Sequence, residues 1–338
     1  MPTPLVSILL PVYNGALTLD AALDSVAAQT VQDFEIVVVD DGSTDATPDV
    51  LSRRHDPRLR VLTTPHVGLL EALNLGLSAC LGRYIARLDA DDICRPQRLE
   101  RQLSVMEQDP GVAVCGTQVE AFPTTDVAEG FQIYVDWQNG LLTDEQIRRE
   151  IFIESPIAHP SAMMRREELV QMGAYQERGW AEDYDLWLRY HAAGRRFAKI
   201  AEPLVRWREH GNRATRTDSR YSIENFLRAK SHYLSLGPLA SRTGLIMWGA
   251  GRTGRRLSKH LIRAGHSPDA FVDIAEKRIG STMRGIPIIA PEAVAERWQA
   301  LAKPILLVAV ASRGARVLIR QQLTEVGLRE GTDFLFVA

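Results

Sequence analysis

With 338 residues, 45% hydrophobic and 24% charged, the chain is long and apolar enough for a sizeable core and for roughly two domains at about 150 residues each. Its formal net charge of -2 gives no overall electrostatic reason to bind nucleic acid. Cys80, Cys94 and Cys115 lack metal-site or redox spacing and fit reduced thiols in the cytoplasm, while the opening M-P-T-P-L-V-S-I-L-L-P has neither the basic flank of a leader nor the length of a membrane span.

Taken in chain order, Leu5 to Val12 is a continuous apolar run rich in branched residues and predicts a buried strand that ends at the turn-forming Asn14-Gly15. A helical pattern follows from Leu17 to Ala28, then a second buried strand at F-E-I-V-V-V-D40. The alternation continues with a helix after Thr44, a strand at Arg60 to Leu62, a helix at Leu69 to Ala79, a strand at Tyr84 to Leu88, a helix after Pro96 and a strand at Val112 to Cys115. Strands and helices alternating at this spacing predict an α/β fold whose mostly parallel sheet carries helices on both faces.

From Phe122 to Arg220 the pattern loosens, with helices expected at Asp144 to Ile151 and from Glu182-Asp183. Arg195 to Arg220 is locally basic, which suits either a solvated surface or one that faces phosphate or an acidic acceptor. A helix from Ser219 to Leu234 leads to Gly237-Pro238, a credible boundary. Beyond it, L-I-M-W-G-A-G-R-T-G starts a new strand, loop and helix, and D-A-F-V-D273, P-I-L-L-V-A-V-A and D-F-L-F-V supply later strands. The expected division is 1–236, a linker at 237–243, and a smaller Rossmann-like α/β domain at 244–338.

In open α/β sheets ligands bind beyond the carboxyl ends of the strands, where both acidic clusters fall. In V-V-V-D40-D41-G42-S43-T44-D45 an acid can accept from a base or ribose, while Asp-Gly turns the chain and Ser43 or Thr44 caps the next helix. In Y84-I-A-R-L-D-A-D-D-I-C-R-P96, Asp89, Asp91 and Asp92 stand directly behind an apolar run. Carboxylates this close repel and ask for a cation, and oxygen-only donors suit Mg2+ or Mn2+ with positions left for water and substrate phosphate. An acidic turn capping the Pro96 helix is the plainer alternative. The aspartyl-phosphate hydrolase pattern also begins D-x-D, but Ile93 holds the place where it wants Thr or Val.

Together P11-V-Y-N, V-D-D-G-S-T-D, Y-I-A-R-L-D-A-D-D, H159-P-S and W180-A-E-D-Y-D-L-W resemble family 2 glycosyltransferases of the GT-A fold, over roughly residues 5 to 235. The resemblance implies an inverting, metal-dependent hexosyltransferase that takes a nucleotide-sugar donor, with UDP the expected nucleotide, and a saccharide, lipid-linked or other hydroxyl acceptor, in bacterial polysaccharide or glycoconjugate synthesis. It implies a nucleotide-sugar site at Pro11, Tyr13, Asp40, Asp41, Arg87 and Asp89, with Asp41 reading the base. It implies Asp91, Asp89 and His210 at the cation, the histidine coming from W207-R-E-H, and Asp183 as catalytic base beside Glu182. Tyr184, Trp187, Leu188 and His191, at helical spacing, read as a core stripe. Pro203 replaces the glutamine of the processive synthases' Q-x-x-R-W, so single or distributive addition is expected. The expected setting is the cytoplasm, with the inner face of the membrane and homo-oligomerisation left open.

The motif G249-A-G251-R-T-G254, with Asp273 downstream, resembles nucleotide-binding Rossmann-like modules, where glycines admit a pyrophosphate and the acid holds a ribose. A glycine turn needed only for packing stays open. Other classes compatible with the chain are a nucleotide-sugar-binding or regulatory protein without transfer activity, a nucleotidyltransferase lacking its Gly-rich phosphate loop, and an oxidoreductase built on the second domain.

Overall fold

The computed structural model describes residues 3–125, 127–211, 213–312 and 314–338. They form two compact units. One comprises Met1–Ile147, Ser155–Arg178 and Asp185–Thr217; the other comprises Arg148–Glu154, Gly179–Tyr184 and Asp218–Ala338.

The first unit is organised by strands β1 (Val6–Val12), β2 (Phe34–Asp40), β3 (Leu59–Thr63), β4 (Tyr84–Arg87), β5 (Ile93–Cys94), β6 (Val112–Phe122), β7 (Met163–Arg165) and β8 (Arg196–Arg208). The sheet order is β3-β2-β1-β4-β7-β6-β8-β5. Strands β1 to β4 run parallel, as the alternation predicts. Strand β7 then reverses against both β4 and β6, and β8 pairs with β6 in parallel through ten residue pairs of irregular register. Every residue of β1 and β2 is buried because helices cover both faces. On one face Val6, Ile8, Leu10 and Val12 join Leu19, Leu23 and Val26 of the helix Leu19–Ala27. On the other, Leu9 and Val39 meet Gly76 of the helix Leu69–Ala79.

Three elements depart from the expectations. The segment read as irregular and basic contains β8, a thirteen-residue strand, and the helix Glu129–Asn139 precedes it without a clear apolar stripe. The helix after Thr44 spans Thr47–Ser52 with no side-chain cap from Ser43 or Thr44; Asp45 Oδ1 instead accepts from the Thr47 backbone N–H at 2.9 Å.

The second unit holds β9 (Gly244–Trp248), β10 (Ala270–Val272), β11 (Thr282–Met283), β12 (Ile286–Ile289), β13 (Pro304–Val308) and β14 (Phe334–Phe336). Their order is β11-β12-β10-β9-β13-β14, parallel except for the β11–β12 hairpin. The apolar runs of β9, β10, β13 and β14 are buried, and Leu257 and Leu261 of the helix Arg252–Arg263 are buried with them. Among the described residues no helix is long and apolar enough to cross a membrane.

Candidate active site

Because β2, β1 and β4 are neighbours running the same way, Asp40-Asp41 and Asp89 to Asp92 leave the sheet at one edge, on either side of β1. The turns there are bound together by side chains. The Asn14 N–H donates to Ser43 Oγ at 2.9 Å and its Oδ1 accepts from the Thr44 N–H at 2.8 Å, while the Gly15 N–H donates to Thr47 Oγ1 at 2.9 Å. Asn14 takes a left-handed φ of 52° to do this. The D-G-S-T-D run is therefore a splice between two strand ends as well as a turn.

Asp40 and Asp41 are both buried, and Asp40 Oδ1 accepts from the Ser43 N–H at 3.0 Å. Asp41 is enclosed by the 64–68 loop: Oδ1 accepts from Thr64 Oγ1 and the Val67 N–H, each at 2.6 Å, and Oδ2 from the Gly68 N–H at 2.9 Å. Burial pushes its carboxyl up, but these donors and the neighbouring His66 outweigh it and leave the group below the ordinary carboxylate range. The loop can come this close because Gly42 has no side chain; a Cβ there would lie 2.6 Å from the His66 backbone nitrogen. His66 itself is left-handed, at φ 56°, and its ring stacks on Tyr13 at 3.9 Å between centroids. Sequence reasoning missed His66, whose partner Asp41 lies 25 residues away in the chain. Pro11 is buried within β1, opposite Val39.

The second cluster gathers Asp89, Asp91 and Asp92, each with an oxygen within 4.8 Å of the others. Arg87, itself buried, is ion-paired with Asp89. His210 Nε2 lies 2.9 Å from Asp91 Oδ2, so the structure brings these two sequence candidates together. Asp92, absent from the candidate ligands, is the most enclosed of the three. Its Oδ1 accepts from the Arg208 N–H at 2.7 Å and its Oδ2 is buried without a hydrogen-bond partner among the described residues. Burial first, then the charge of Asp89, raises the Asp91 carboxyl, with His210 pulling the other way. Burial and both neighbours raise Asp92 far more. Three crowded carboxylates, one with an orphaned oxygen, fit a hard divalent cation, whose charge would relieve both the repulsion and the burial cost. Asp91, Asp89 and Asp92 are the residues that could hold it.

The basic stretch 195–220 resolves differently from a bare cationic surface. Arg196 pairs with Asp109 at 2.5 Å, Arg195 with Glu168 at 3.4 Å, Arg206 with Glu120 at 3.6 Å, Arg213 with Glu209 at 2.8 Å and Arg220 with Asp218 at 2.5 Å, and Arg216 also meets Glu209. Lys199 is buried and donates to the carbonyls of Gln138 and Pro156. The excess charge is largely answered within the chain.

Glu182 and Asp183 open the helix Glu182–Ala192 and belong to the second unit. Asp183 Oδ1 accepts from the Tyr184 N–H at 2.7 Å. Glu182 is 2% exposed and accepts from Tyr221. Further along the helix, Tyr184, Trp187 and Leu188 are buried as the core stripe predicts, with His191 only partly exposed. His159 is enclosed against the Tyr175 hydroxyl, 3.0 Å from Nε2.

At the second sheet's edge, Gly254 is obligatory, since a Cβ there would fall 1.8 Å from the Gly249 carbonyl oxygen, and Gly249 has φ 117°. Gly251 faces open space apart from Arg278, 3.9 Å from its notional Cβ. Asp273 accepts from the Ala275 N–H at 2.9 Å, Arg278 Nη1 at 2.8 Å and the Ala250 N–H at 3.2 Å.

Comparison with known proteins identifies the family. The family described as glycosyl transferase family 2 matches residues 7–172. The amylovoran biosynthesis glycosyltransferase AmsE of Erwinia amylovora is 31% identical over 60% of this chain and 75% of its own. An Escherichia coli UDP-Gal:alpha-D-GlcNAc-diphosphoundecaprenol beta-1,3-galactosyltransferase is 30% identical over 68% and 84%. The chain belongs to glycosyl transferase family 2. The solved structure of S. aureus TarS with UDP-GlcNAc matches this glycosyltransferase at a TM-score of 0.57 and 18% identity, over 76% of this chain and 72% of that one, which gives it the GT-A type of fold.

Proposed function

We propose that the protein is an inverting, cation-dependent hexosyltransferase that moves a sugar from a UDP-sugar to an acceptor hydroxyl in bacterial surface polysaccharide or glycoconjugate synthesis. The observation that carries this is the carboxylate cluster at the strand ends, with Asp92 Oδ2 orphaned beside Asp91 and Asp89. The E. coli relative's UDP-Gal donor and diphosphoundecaprenol-linked acceptor support a UDP-sugar and a lipid-linked acceptor, taken up in the cytoplasm at the inner face of the membrane.

In this reading Asp41 reads the base, Tyr13 lines it, Pro11 and Asp40 shape the turn, and Arg87 with Asp89 meets the donor's sugar or diphosphate. Asp91 and Asp89, with Asp92 and His210 beside them, would hold a Mn2+ or Mg2+ ion, which would stabilise charge on the leaving diphosphate. Asp183, flanked by Glu182, takes the acceptor hydroxyl's proton. The acceptor oxygen then bonds to the anomeric carbon from the face opposite the diphosphate, whose bond to that carbon breaks with its electron pair. A positioned base of this kind contributes about 10²- to 10⁴-fold.

We assign transfer to residues 1–236 and treat 237–243 as a linker. For 244–338 we propose a nucleotide held by the loop at Gly249, Gly251 and Gly254 with Asp273; the room left above Gly251 supports it. A thermal-shift screen of UDP, dTDP, GDP and CMP sugars with Mn2+ or Mg2+ tests the donor: a UDP-sugar with the cation should give the largest rise. Asp183→Asn should keep that rise and lose transfer; near-normal turnover would remove Asp183 as base.

A further inference from the structure

Glu182 is a buried carboxylate immediately before the proposed base, and what fixes it comes from 39 residues further along the chain. The Tyr221 hydroxyl lies 2.7 Å from Glu182 Oε2 and 3.0 Å from Oε1, so its single proton is shared across both oxygens. A partly buried phenol needs an acceptor, and a carboxylate makes the strongest one available.

The turn that carries Tyr221 is itself clamped. Asp218 accepts from the Arg220 N–H and Nε, each at 2.8 Å, and Asn225 Nδ2 donates to the Ser219 carbonyl at 2.8 Å. Ser222 then caps the helix Ile223–Leu236. From that helix Phe226 stacks on Tyr184, with ring centroids 5.1 Å apart, and the Tyr184 N–H is the donor to Asp183 Oδ1. Residues 218–226 thus grip both neighbours of Asp183: Glu182 through the Tyr221 hydroxyl and Tyr184 through the Phe226 ring. The negative charge of Glu182 and Asp183 adds to burial in holding the Tyr221 hydroxyl protonated, so it stays a donor.

We propose that Tyr221 is a positioning residue for transfer: its hydroxyl locks Glu182 and so fixes the direction in which the Asp183 carboxylate points. This rests on the reading of Asp183 as base. A base misplaced by a fraction of an ångström loses rate without losing donor affinity, because the donor is held by other groups.

The test is Tyr221→Phe in the full chain, assayed for kcat, for the KM of UDP-sugar and acceptor, and for melting temperature, beside Asp183→Asn. We expect kcat to fall about tenfold or more, with donor KM within about twofold of the parent and melting within a few degrees. Asp218→Asn, which loosens the clamp and leaves the hydroxyl in place, should show the same split at smaller size. An unchanged kcat in both variants overturns the proposal while Asp183→Asn stays inactive; an active Asp183→Asn overturns the base reading itself. If Tyr221→Phe does not fold, Asp218→Asn decides alone, a parallel loss in kcat and donor affinity counting against positioning.

Discussion

The two sheets of this chain end in carboxylates at their carboxyl edges, and they treat them in opposite ways. At the edge of β10, Asp273 is answered entirely by its own surroundings: two backbone N–H groups and the Arg278 guanidinium. Although burial pushes the carboxyl up, those donors hold it below the ordinary range. At the edge beyond β4, three carboxylates face one another, Asp91 and Asp92 are pushed up, and one buried oxygen is left without a donor among the described residues. The same position in two α/β units thus yields in one case a satisfied anion that braces a glycine loop and in the other three crowded carboxylates that Arg87 and His210 answer only in part. Acid at a strand end is no evidence of chemistry by itself. What separates the two edges is how completely the chain's own groups answer the carboxylates.

The largest effect that should separate them is on transfer. Asp91→Ala is expected to lower kcat/KM by about 10²- to 10³-fold, the scale for losing one preorganised group at a site of developing charge. The thermal rise produced by Mn2+ together with a UDP-sugar should shrink with it. Chelator added to the parent should reproduce most of the loss. Unchanged donor affinity in Asp91→Ala, with and without chelator, would mean that the first edge is as self-contained as the second.

Half of this contrast is legible in the sequence: the crowded acids beyond β4 are, whereas nothing local shows that Asp273 is answered by its own loop and Arg278. Strands β1, β2 and β4 announce themselves as unbroken apolar runs because both sheet faces are covered, and the acids that follow are adjacent in sequence. Strand β8 was hidden: in R-F-A-K-I-A-E-P-L-V-R-W-R most outward positions carry charge and the register against β6 slips three times, so neither a run nor a clean alternation survives. The helix Glu129–Asn139 buries only Val135 and Gln138, which leaves no stripe to find. Among site residues, Asp92 was in view as half of a D-D pair, and only its burial distinguishes it. His66 and Tyr221 were beyond reach of local pattern, since each acquires its meaning from a carboxylate 25 or 39 residues distant.

A second, smaller effect belongs to the glycine loop. Gly254→Ala would set a methyl 1.8 Å from the Gly249 carbonyl oxygen, a backbone atom that cannot swing aside. The helix Arg252–Arg263 would have to move off the loop. The expected cost is about 1–3 kcal/mol, as for overpacking a filled core, read as a lower denaturation midpoint. Thermal or urea unfolding within error of the parent would show that the loop is looser than its geometry implies, and would favour a glycine kept for a ligand rather than for packing.

The smallest effect concerns Asp273, and it carries a sign. Its folded-state carboxyl is held below its unfolded value, so the ionised form stabilises the fold at any pH above the unfolded value of about 3.9, and that contribution is lost as pH falls through the folded value below it. Asp273→Asn keeps an acceptor for one N–H but removes the charge opposite Arg278 and brings an amide N–H₂ toward other donors. A loss of about 1–2 kcal/mol at pH 7 is expected, shrinking toward zero against the parent in strong acid. Donor-induced thermal shifts measured with UDP-sugar and Mn2+ should be unaltered, because this carboxylate is spent on its own loop. A variant that kept its stability yet failed to bind a nucleotide that the parent binds would show the acid turning from Arg278 to a ribose, as proposed for the loop at Gly249, Gly251 and Gly254.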